Sequence, residues 1–306
     1  MPEPFVLDLP ATSANLGPAF DAAALAVNLH LHVHAQVADQ WSVSASGRDA
    51  EFCASTERNM ILDTYRELLR EAHVAAPPLR LRLENQIPIG KGFGSSAAAR
   101  LAAAALASRF GGLDWSAQQV FEVAARLEGH ADNVAACWWG GLVVTQAGEG
   151  DSCRWLRVPV AGCWTFVLVV PDAALPTEHA RAVVPRQFSR GDAVANLQSA
   201  LLLVQSLAQG RGDLLAGAFA DRWHQPYRSA LCPLLPALLP LTGQMGIVGC
   251  ALSGAGPGVL LVVDSAASAD AAAVLVRDTL GARSLRAESI VVKLQVLGPG
   301  VVWLSK

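Results

Sequence analysis

The sequence predicts an α+β fold divided into two domains, for three reasons. The chain has 306 residues, which is enough for two domains of ordinary size that each bury a core. Hydrophobic residues make up 52% of the chain and charged residues only 16%, a balance typical of a compact, heavily buried protein. The predicted strands and helices lack the regular βαβ alternation of a Rossmann fold, and no internal repeat of fixed period is present.

The first 45 residues contain three strand-like runs, PFVLDLP, LAVNLHLHVHAQVA and WSVSAS. The alternation in LHLHVHAQV places His30, His32 and His34 on one face of a strand. Three histidines at this spacing could in principle bind a metal, but a solvated strand face explains them as well, and no carboxylate accompanies them. We therefore assign no metal to this strand.

Three helices, a strand and a glycine-rich loop are predicted next. NMILDTYRELLREAHV has helical periodicity, and PPLRLRLENQIPIG has the alternation of a strand. After the loop PIGKGFGSSAA, residues 95–110 are predicted to form a buried, alanine-rich helix. A further helix begins near Asp114 and Ser116 and runs to Glu128, where Gly129 can end it.

A polar, glycine-bearing interval, AGEGDSC, is the expected surface turn near the domain boundary, so we place the domains at 1–155 and 156–306. The second domain is predicted to begin with a strand over TFVLVVP and to continue with helices over DAVANLQSALLLVQSLA and GDLLAGAFADRW. The proline-leucine stretch CPLLPALLPL follows. A strand, a glycine turn and a second strand over GCALSGAGPGVLLVVD precede an alanine-rich helix and two closing strands.

Charge and cysteine content favour a cytoplasmic protein that acts on small molecules. The formal net charge is −3 and no basic run is present, which argues against nucleic-acid and anionic membrane partners. No apolar run reaches the roughly 18–20 residues that cross a bilayer. The start, MPEPFVLDLP, lacks the basic and apolar regions of a signal peptide. The six cysteines show no C-x-x-C pair and no metal-ligand spacing, so buried free thiols in a reducing compartment are expected.

The loop PIGKGFGSSAA is a candidate anion site. Its glycines allow backbone N–H groups to converge, and the N-terminus of the following helix adds partial positive charge at the same place. The loop is not a Walker A sequence, because Lys91 precedes the last glycines. It is not a dinucleotide fingerprint either, because Gly90, Gly92 and Gly94 form G-x-G-x-G. For the loop alone, a tight turn without a ligand is an equal alternative to a phosphate site.

Four segments together resemble the signatures of the GHMP small-molecule kinases: PATSANLGPAFD at 10–21, PIGKGFGSSAA at 88–98, EGHADN at 128–133 and LSGAGPG at 252–258. Within that superfamily the sequence is most similar to the homoserine kinase family, which also carries a D-x-x-x-x-P-Y-R segment, here DRWHQPYR at 221–228. The resemblance implies a two-domain GHMP kinase fold. Its N-terminal domain would be a ribosomal-protein-like α/β nucleotide domain, and its C-terminal domain a ferredoxin-like α+β domain.

The resemblance also implies ATP and Mg²⁺ as cofactors. The ATP loop would consist of Pro88, Ile89, Gly90, Lys91, Gly92, Phe93, Gly94, Ser95, Ser96, Ala97 and Ala98. Ser96 and Glu128 resemble the magnesium ligands of the family and, with Asp21, are the expected catalytic residues. Helix capping is the alternative role for Ser95 and Ser96, and contact with solvent alone is the alternative for Lys91.

The homoserine kinase resemblance implies phosphorylation of the side-chain hydroxyl of L-homoserine to O-phospho-L-homoserine, for threonine biosynthesis. The residues that would bind this substrate are Asn15, Asp21, His130, Asp132, Thr177, Arg181 and Arg228. Asp21 and Asp132 would hold the ammonium or hydroxyl group, while the two arginines would bind the carboxylate through bidentate pairs. We assign no general base, because a loose, metaphosphate-like transition state needs little help from one; Asp21 is the nearest candidate.

Three positions depart from the family pattern. Phe93 replaces a leucine, Ala19 replaces a glycine, and Gly258 stands where threonine or serine is usual. We expect Phe93 to be tolerated, whereas Ala19 and Gly258 leave the substrate open. A GHMP kinase for another small alcohol and a non-catalytic nucleotide-binding regulator are therefore the alternatives. The apolar stretch LLPALLPL is compatible with the core or with a homodimer interface.

Overall fold

Two β-sheets with their helices make up the protein, in agreement with the predicted α+β class. The structure is a computed structural model that describes residues 5–150 and 152–296. Within these two ranges no helix is long and apolar enough to cross a membrane. Of the two strands predicted to close the chain, the structure contains one. The other was expected near the end of the chain, and residues 297–306 lie outside the described part.

The first sheet contains six strands: β1 (Phe5–Asn15), β2 (Ala19–Val37), β3 (Ser42–Gly47), β4 (Leu79–Asn85), β5 (Leu142–Ala147) and β6 (Cys153–Val158). The long β2 pairs antiparallel with β1 along one edge and with β4 and β5 along the other. β3 is parallel to β4, and β6 is antiparallel to β5. β4 alternates buried leucines with exposed polar residues, so its leucines face the core.

Five helices belong to the first half: α1 (Ala50–Cys53), α2 (Met60–Glu71), α3 (Ser95–Phe110), α4 (Ala117–Glu128) and α5 (Asp132–Trp139). The alanine-rich α3 packs against α2, α4 and α5 and against β1, and its residues 101–108 are all buried. Small alanine side chains permit this close approach. The predicted bounds of α4 are confirmed, because Ser116 forms a capping box with Gln119 and Gly129 ends the helix in the left-handed region.

The second sheet has four antiparallel strands in the order β10-β7-β9-β8: β7 (Thr165–Pro171), β8 (Ile247–Leu252), β9 (Val259–Val263) and β10 (Ala287–Val292). Its helices are α6 (Thr177–Ala182), α7 (Arg190–Gln209), α8 (Gly212–Ala218), α9 (Gln225–Arg228), α10 (Leu234–Leu238) and α11 (Ala266–Ala282), with a 3₁₀ turn at Leu239–Leu241. Alternate residues of β7 and β9 enter two different cores, so these two central strands are buried on both faces. Most of the stretch LLPALLPL lies in the second core.

The predicted domain boundary falls inside a strand. Residues 155 and 156 lie in β6, which pairs with β5 along its length and so belongs to the first sheet. Side chains of both sheets also contribute to one hydrophobic core. The division of the chain at these residues stays a prediction.

The expectation that no carboxylate accompanies the strand histidines is wrong. Asp8 of β1 lies opposite His32 in the strand register, and its Oδ1 is 2.5 Å from His30 Nδ1 and 3.2 Å from His32 Nδ1. Burial alone would raise the pKa of Asp8, but the hydrogen bond from His30 and the charges of the two histidines lower it. The ring nitrogens thus have a local partner. Asp8 thus pairs with two of the three histidines, His30 and His32.

Candidate active site

The glycine-rich loop leads directly into the N-terminus of α3. Gly90, Gly92 and Gly94 all have φ values in the left-handed region, between +69° and +89°, which side-chain-bearing residues rarely adopt. Gly94 is the N-cap of α3 and offers no side-chain hydrogen bond to the first turn. The serines are therefore the first helical residues and not the caps. The first N–H groups of α3 are available to an anion at this end of the helix.

The loop is held between the first and the last of the four motif segments. A Cβ atom on Gly94 would lie 2.0 Å from Thr12 Oγ1, and one on Gly92 would lie 2.1 Å from the carbonyl oxygen of Ser253. The Ser253 hydroxyl also donates to the carbonyl of Gly92 over 2.7 Å. These close approaches require glycine at both positions and fix the shape of the loop.

Ser96 and Glu128 meet at the start of α3. The Ser96 hydroxyl donates to Glu128 Oε2 over 2.8 Å, although the two residues are 32 positions apart in the chain. Arg100, one turn further along α3, places its Nε 2.8 Å from the same carboxylate oxygen. A hydroxyl and a carboxylate are oxygen ligands of the kind that Mg²⁺ prefers. Ser96 and Glu128, the residues expected to bind magnesium, therefore lie in direct contact, and the guanidinium of Arg100 lies beside them.

A polar cavity of about 100 Å³ lies beside this pair. All seven residues expected to bind the substrate line it, namely Asn15, Asp21, His130, Asp132, Thr177, Arg181 and Arg228. Loop residues Gly90, Gly92 and Gly94, both serines and Glu128 line it as well. Side chains from the two halves of the chain therefore converge on one small space.

Asp21 and Arg181 form a bidentate ion pair across this cavity. Arg181 Nη1 donates to Asp21 Oδ2 over 3.0 Å, and Nη2 donates to Oδ1 over 2.7 Å. Asp21 has a φ of +53°, in the left-handed region that residues other than glycine rarely adopt. About a third of each side chain is exposed, so both remain open to a ligand.

His130 and Asp132 form a second polar pair in the cavity. His130 Nδ1 is 2.8 Å from Asp132 Oδ1. Burial alone would lower the pKa of His130, but the hydrogen bond and charge of Asp132, together with the charge of Glu128, raise it. Asp132 is 1% exposed, and its Oδ2 has no hydrogen-bond partner among the described residues. A buried carboxylate oxygen without a partner is costly, so a ligand that donates a hydrogen bond here would relieve that cost.

Arg228 reaches the cavity from α9. Its side chain is 1% exposed, and its Nε donates to the carbonyl of Ala180 over 2.8 Å. Burial and the charge of nearby Arg181 lower the pKa of Arg228 to about 10, so it stays charged at neutral pH. Asp221, the first residue of the D-x-x-x-x-P-Y-R segment, accepts hydrogen bonds from the N–H groups of Trp223, His224 and Gln225. It thereby fixes the turn that directs the arginine inward.

An apolar cavity of about 230 Å³ continues from the other side of the loop. It shares Gly90, Ser95 and Ser96 with the polar cavity, so the two form one cleft. Most of its lining is apolar: Leu31, Phe52, Met60, Ile61, Leu83, Ile87, Ile89 and Ala99. An apolar space next to an anion site suits a nucleotide, with the base on one side and the phosphates on the other.

Several residues of the expected ATP loop line neither of the two cavities. Phe93, Ala97 and Ala98 are buried in the core. The Lys91 ammonium donates to the carbonyl of Asp172, and Lys91 lines neither of the two cavities. Conversely, Asn133 lines the polar cavity without having been assigned a role. The D-N pair of the EGHADN segment was the signal that could have identified it.

Two of the three departures from the family pattern contact each other. A Cβ atom on Gly258 would lie 2.5 Å from Cε2 and Cζ of the Phe93 ring and 2.6 Å from the carbonyl oxygen of Lys91. The larger aromatic residue thus fills the space that a side chain at 258 would need. Gly258 is therefore explained by packing behind the loop and not by a lost hydroxyl in the cleft. Ala19, the third departure, is 3% exposed and does not line the polar cavity.

We expect Gly258→Ser to lower the free energy of unfolding by about 2 kcal/mol, because its Cβ overlaps Phe93. Phe93→Leu alone should cost about 1 kcal/mol, since it leaves unfilled space. The double variant should lose about 1 kcal/mol less than the sum, because leucine makes room for serine. Urea unfolding of the four proteins measures this difference, and strict additivity would show that the contact does not explain Gly258.

Comparisons with known proteins give a consistent family assignment. Residues 59–141 match the GHMP kinases N terminal domain, and residues 203–280 match GHMP kinases C terminal. A homoserine kinase of Solibacter usitatus is 44% identical over 257 residues, which cover 84% of each chain. One from a Synechocystis species is 34% identical over 306 residues, covering 98% of this chain and 99% of the relative.

A solved structure supports the same assignment. The crystal structure of homoserine kinase from Cytophaga hutchinsonii has a TM-score of 0.82 and 25% sequence identity, covering 99% of this chain and 98% of that chain. The similarity therefore includes both sheets and the cleft between them. The chain belongs to the homoserine kinase family and has the two-domain fold of the GHMP kinase superfamily.

Proposed function

We propose that this protein transfers the γ-phosphoryl group of ATP to the side-chain hydroxyl of L-homoserine, giving O-phospho-L-homoserine for threonine biosynthesis. One observation carries the proposal. The seven expected substrate residues line a cavity that also contains the glycine loop and the Ser96–Glu128 pair. Membership of the homoserine kinase family supports the choice of substrate.

The residues of the cleft fit ATP and Mg²⁺. The left-handed glycines and the uncapped first turn of α3 supply N–H donors for phosphate oxygens. Ser96 and Glu128 would hold the metal, since they provide a hydroxyl and a carboxylate. When bound, Mg²⁺ would neutralise negative charge on the transferred phosphoryl group. The apolar cavity would take the base, and the loop would place the phosphates beside the polar cavity.

The substrate pocket fits an amino acid with both of its charges. Asp21 and Asp132 offer carboxylate oxygens to an ammonium group, and the ligand atoms of Asp21, His130 and Asp132 lie within 4.8 Å of one another. Arg181 and Arg228 offer guanidinium groups to a carboxylate. Thr177 and Asn15 also line the cavity. With both ends fixed, the hydroxyl of the side chain would point towards the loop and the phosphates.

The arrangement does not require a general base. Both carboxylate oxygens of Asp21 accept hydrogen bonds from Arg181, so both are already engaged by another group across the cavity. A loose transition state carries little positive charge on the attacking hydroxyl, so its proton can leave after transfer begins. Catalysis would then come from positioning and from charge stabilisation.

A coupled assay of ADP release tests this function. We expect turnover with L-homoserine and little or none with mevalonate, galactose or shikimate. Release of ADP that does not depend on homoserine, with turnover of a different alcohol, would favour another GHMP kinase activity. Tight ATP binding without turnover of any alcohol would favour a regulator. A homodimer and a cytoplasmic location stay predictions, and light scattering would measure the first.

A further inference from the structure

His224 is a fully buried histidine that the proposed reaction does not use. It lies in the turn before α9, four residues from Arg228, and its exposed fraction is 0%. A buried polar ring normally has partners for both nitrogens. Its two ring nitrogens contact Gly17 and Arg228, which are far apart in the chain.

The partners determine which ring nitrogen carries the proton. Nε2 is 2.8 Å from the carbonyl oxygen of Gly17, which can only accept a hydrogen bond. Nδ1 is 3.1 Å from Nη1 of Arg228, and a guanidinium can only donate. We therefore assign the proton to Nε2 and a lone pair to Nδ1. A doubly protonated ring would direct an N–H group against the guanidinium.

The electrostatic surroundings agree with a neutral ring. Burial and the charge of Arg228 together lower the pKa of His224 to about 4, although the charge of Asp221 acts to raise it. Asp221 Oδ2 lies 3.5 Å from Nε2, and Asp21 is the other carboxylate that acts on the ring. At neutral pH the ring can thus accept from Arg228 and donate to Gly17 at the same time.

The ring connects Arg228 to the first motif segment. Gly17 lies in the turn between Asn15 and Asp21, two of the residues that line the polar cavity. Phe20, at the start of β2, has its ring centroid 5.2 Å from that of His224 and 5.3 Å from Cζ of Arg228. One side of the arginine is therefore held by the histidine and the phenylalanine, which are themselves in contact.

The remaining donor of Arg228 is left for a ligand. Nε donates to Ala180, and Nη1 donates to His224 and, over 3.3 Å, to the carbonyl of Gly254. Nη2 makes no hydrogen bond within the described ranges, and Arg228 lines the polar cavity. The contacts of Nε and Nη1 determine where Nη2 points.

We propose that His224 is a positioning residue that orients Arg228 towards the substrate carboxylate and ties it to the turn that precedes Asp21. This inference rests on the proposed function, because it takes Arg228 as a ligand of the substrate. It predicts that the ring acts through its Nδ1 acceptor and not merely by filling space. Removing that acceptor should weaken homoserine binding and leave ATP binding unchanged.

Two substitutions test the two ring nitrogens of His224 separately. In His224→Asn the amide oxygen can take the place of Nδ1 and still accept the hydrogen bond from Arg228. In His224→Gln the amide nitrogen can take the place of Nε2, so that only the hydrogen bond to Gly17 is kept. We expect the KM for homoserine to rise about tenfold or more in the glutamine variant and clearly less in the asparagine variant. The KM for ATP should stay within about twofold in both. His34→Gln, on the exposed strand face, is the matched control.

Equal rises in the KM for homoserine and for ATP would overturn the proposal, because they indicate a general structural role. Equal effects of the two substitutions, or none, would also overturn it. If the glutamine variant does not fold, ¹⁵N NMR of the wild-type ring decides the question. A neutral ring protonated at Nε2 at pH 7 is expected, and a doubly protonated or Nδ1-protonated ring contradicts the assignment. This measurement needs no substrate, so it stands even if the wild-type protein fails to phosphorylate homoserine.

Discussion

Glu128→Gln should lower kcat by about 100-fold or more, because it removes one negative charge from the proposed metal site. The amide oxygen can still accept a hydrogen bond from Ser96, so the local structure should survive. The Mg²⁺ concentration that gives half-maximal activity should rise by about tenfold or more. Steady-state kinetics at a series of Mg²⁺ concentrations measures both effects. The KM for homoserine should change little, since Glu128 has no assigned contact with that substrate.

The matched control is Glu122→Gln, on the same helix. Glu122 accepts a hydrogen bond from Gln118 and lines neither cavity, so the loss of its charge should leave kcat and the magnesium dependence unchanged. An unchanged magnesium titration in the Glu128 variant would contradict the metal assignment. The role of this carboxylate would then be structural, through its contacts with Ser96 and Arg100.

The order of elements and the position of the loop follow from local sequence. Glycines at 90, 92 and 94 and the alanines behind them are enough to predict a turn followed by a helix. The cap of α3 could not be predicted in this way. Serine is preferred over glycine at the N-cap of a helix. Gly94 nevertheless holds that position, because the loop lies in close contact with Thr12. The local sequence pattern does not indicate this contact.

Motif resemblance predicts which residues form the candidate site, but it does not predict which side chains pair with each other there. Asp21 and Arg181 are 160 positions apart, and nothing in either segment indicates that they bind each other. The same is true of Asp8 with His30, which belong to different strands and meet only through the register of β1 and β2. Such contacts depend on how the sheets pack, so they need a three-dimensional structure.

The pairing of Asp21 with Arg181 suggests how the pocket selects its substrate. Without a ligand, the two charges neutralise each other through two hydrogen bonds. A zwitterion can replace this pair on both sides, since its ammonium binds the carboxylate and its carboxylate binds the guanidinium. A ligand with only one charge leaves one member of the pair without compensation, which is costly in a partly buried site. The pocket should therefore favour amino acids over simple alcohols.

Arg181→Lys should raise the KM for homoserine by about tenfold to a hundredfold, because an ammonium cannot form the planar bidentate pair with a carboxylate. The KM for ATP should not change. Arg186→Lys, at an exposed position in the segment after α6, is the matched control and should behave as wild type. Kinetics with homoserine and ATP varied in turn would separate the two constants.

Two truncated substrates make this prediction specific. 3-Amino-1-propanol lacks the carboxylate of homoserine, so its poor turnover should be nearly independent of Arg181→Lys. 4-Hydroxybutyrate lacks the ammonium, so it should lose activity in Arg181→Lys but not in Asp21→Asn. Asp21→Asn should even favour 4-hydroxybutyrate, because Arg181 no longer has an anionic competitor for the ligand carboxylate. If neither substitution distinguishes the two analogues, the ammonium is assigned to Asp132 and the carboxylate to Arg228, and the Asp21–Arg181 pair is structural.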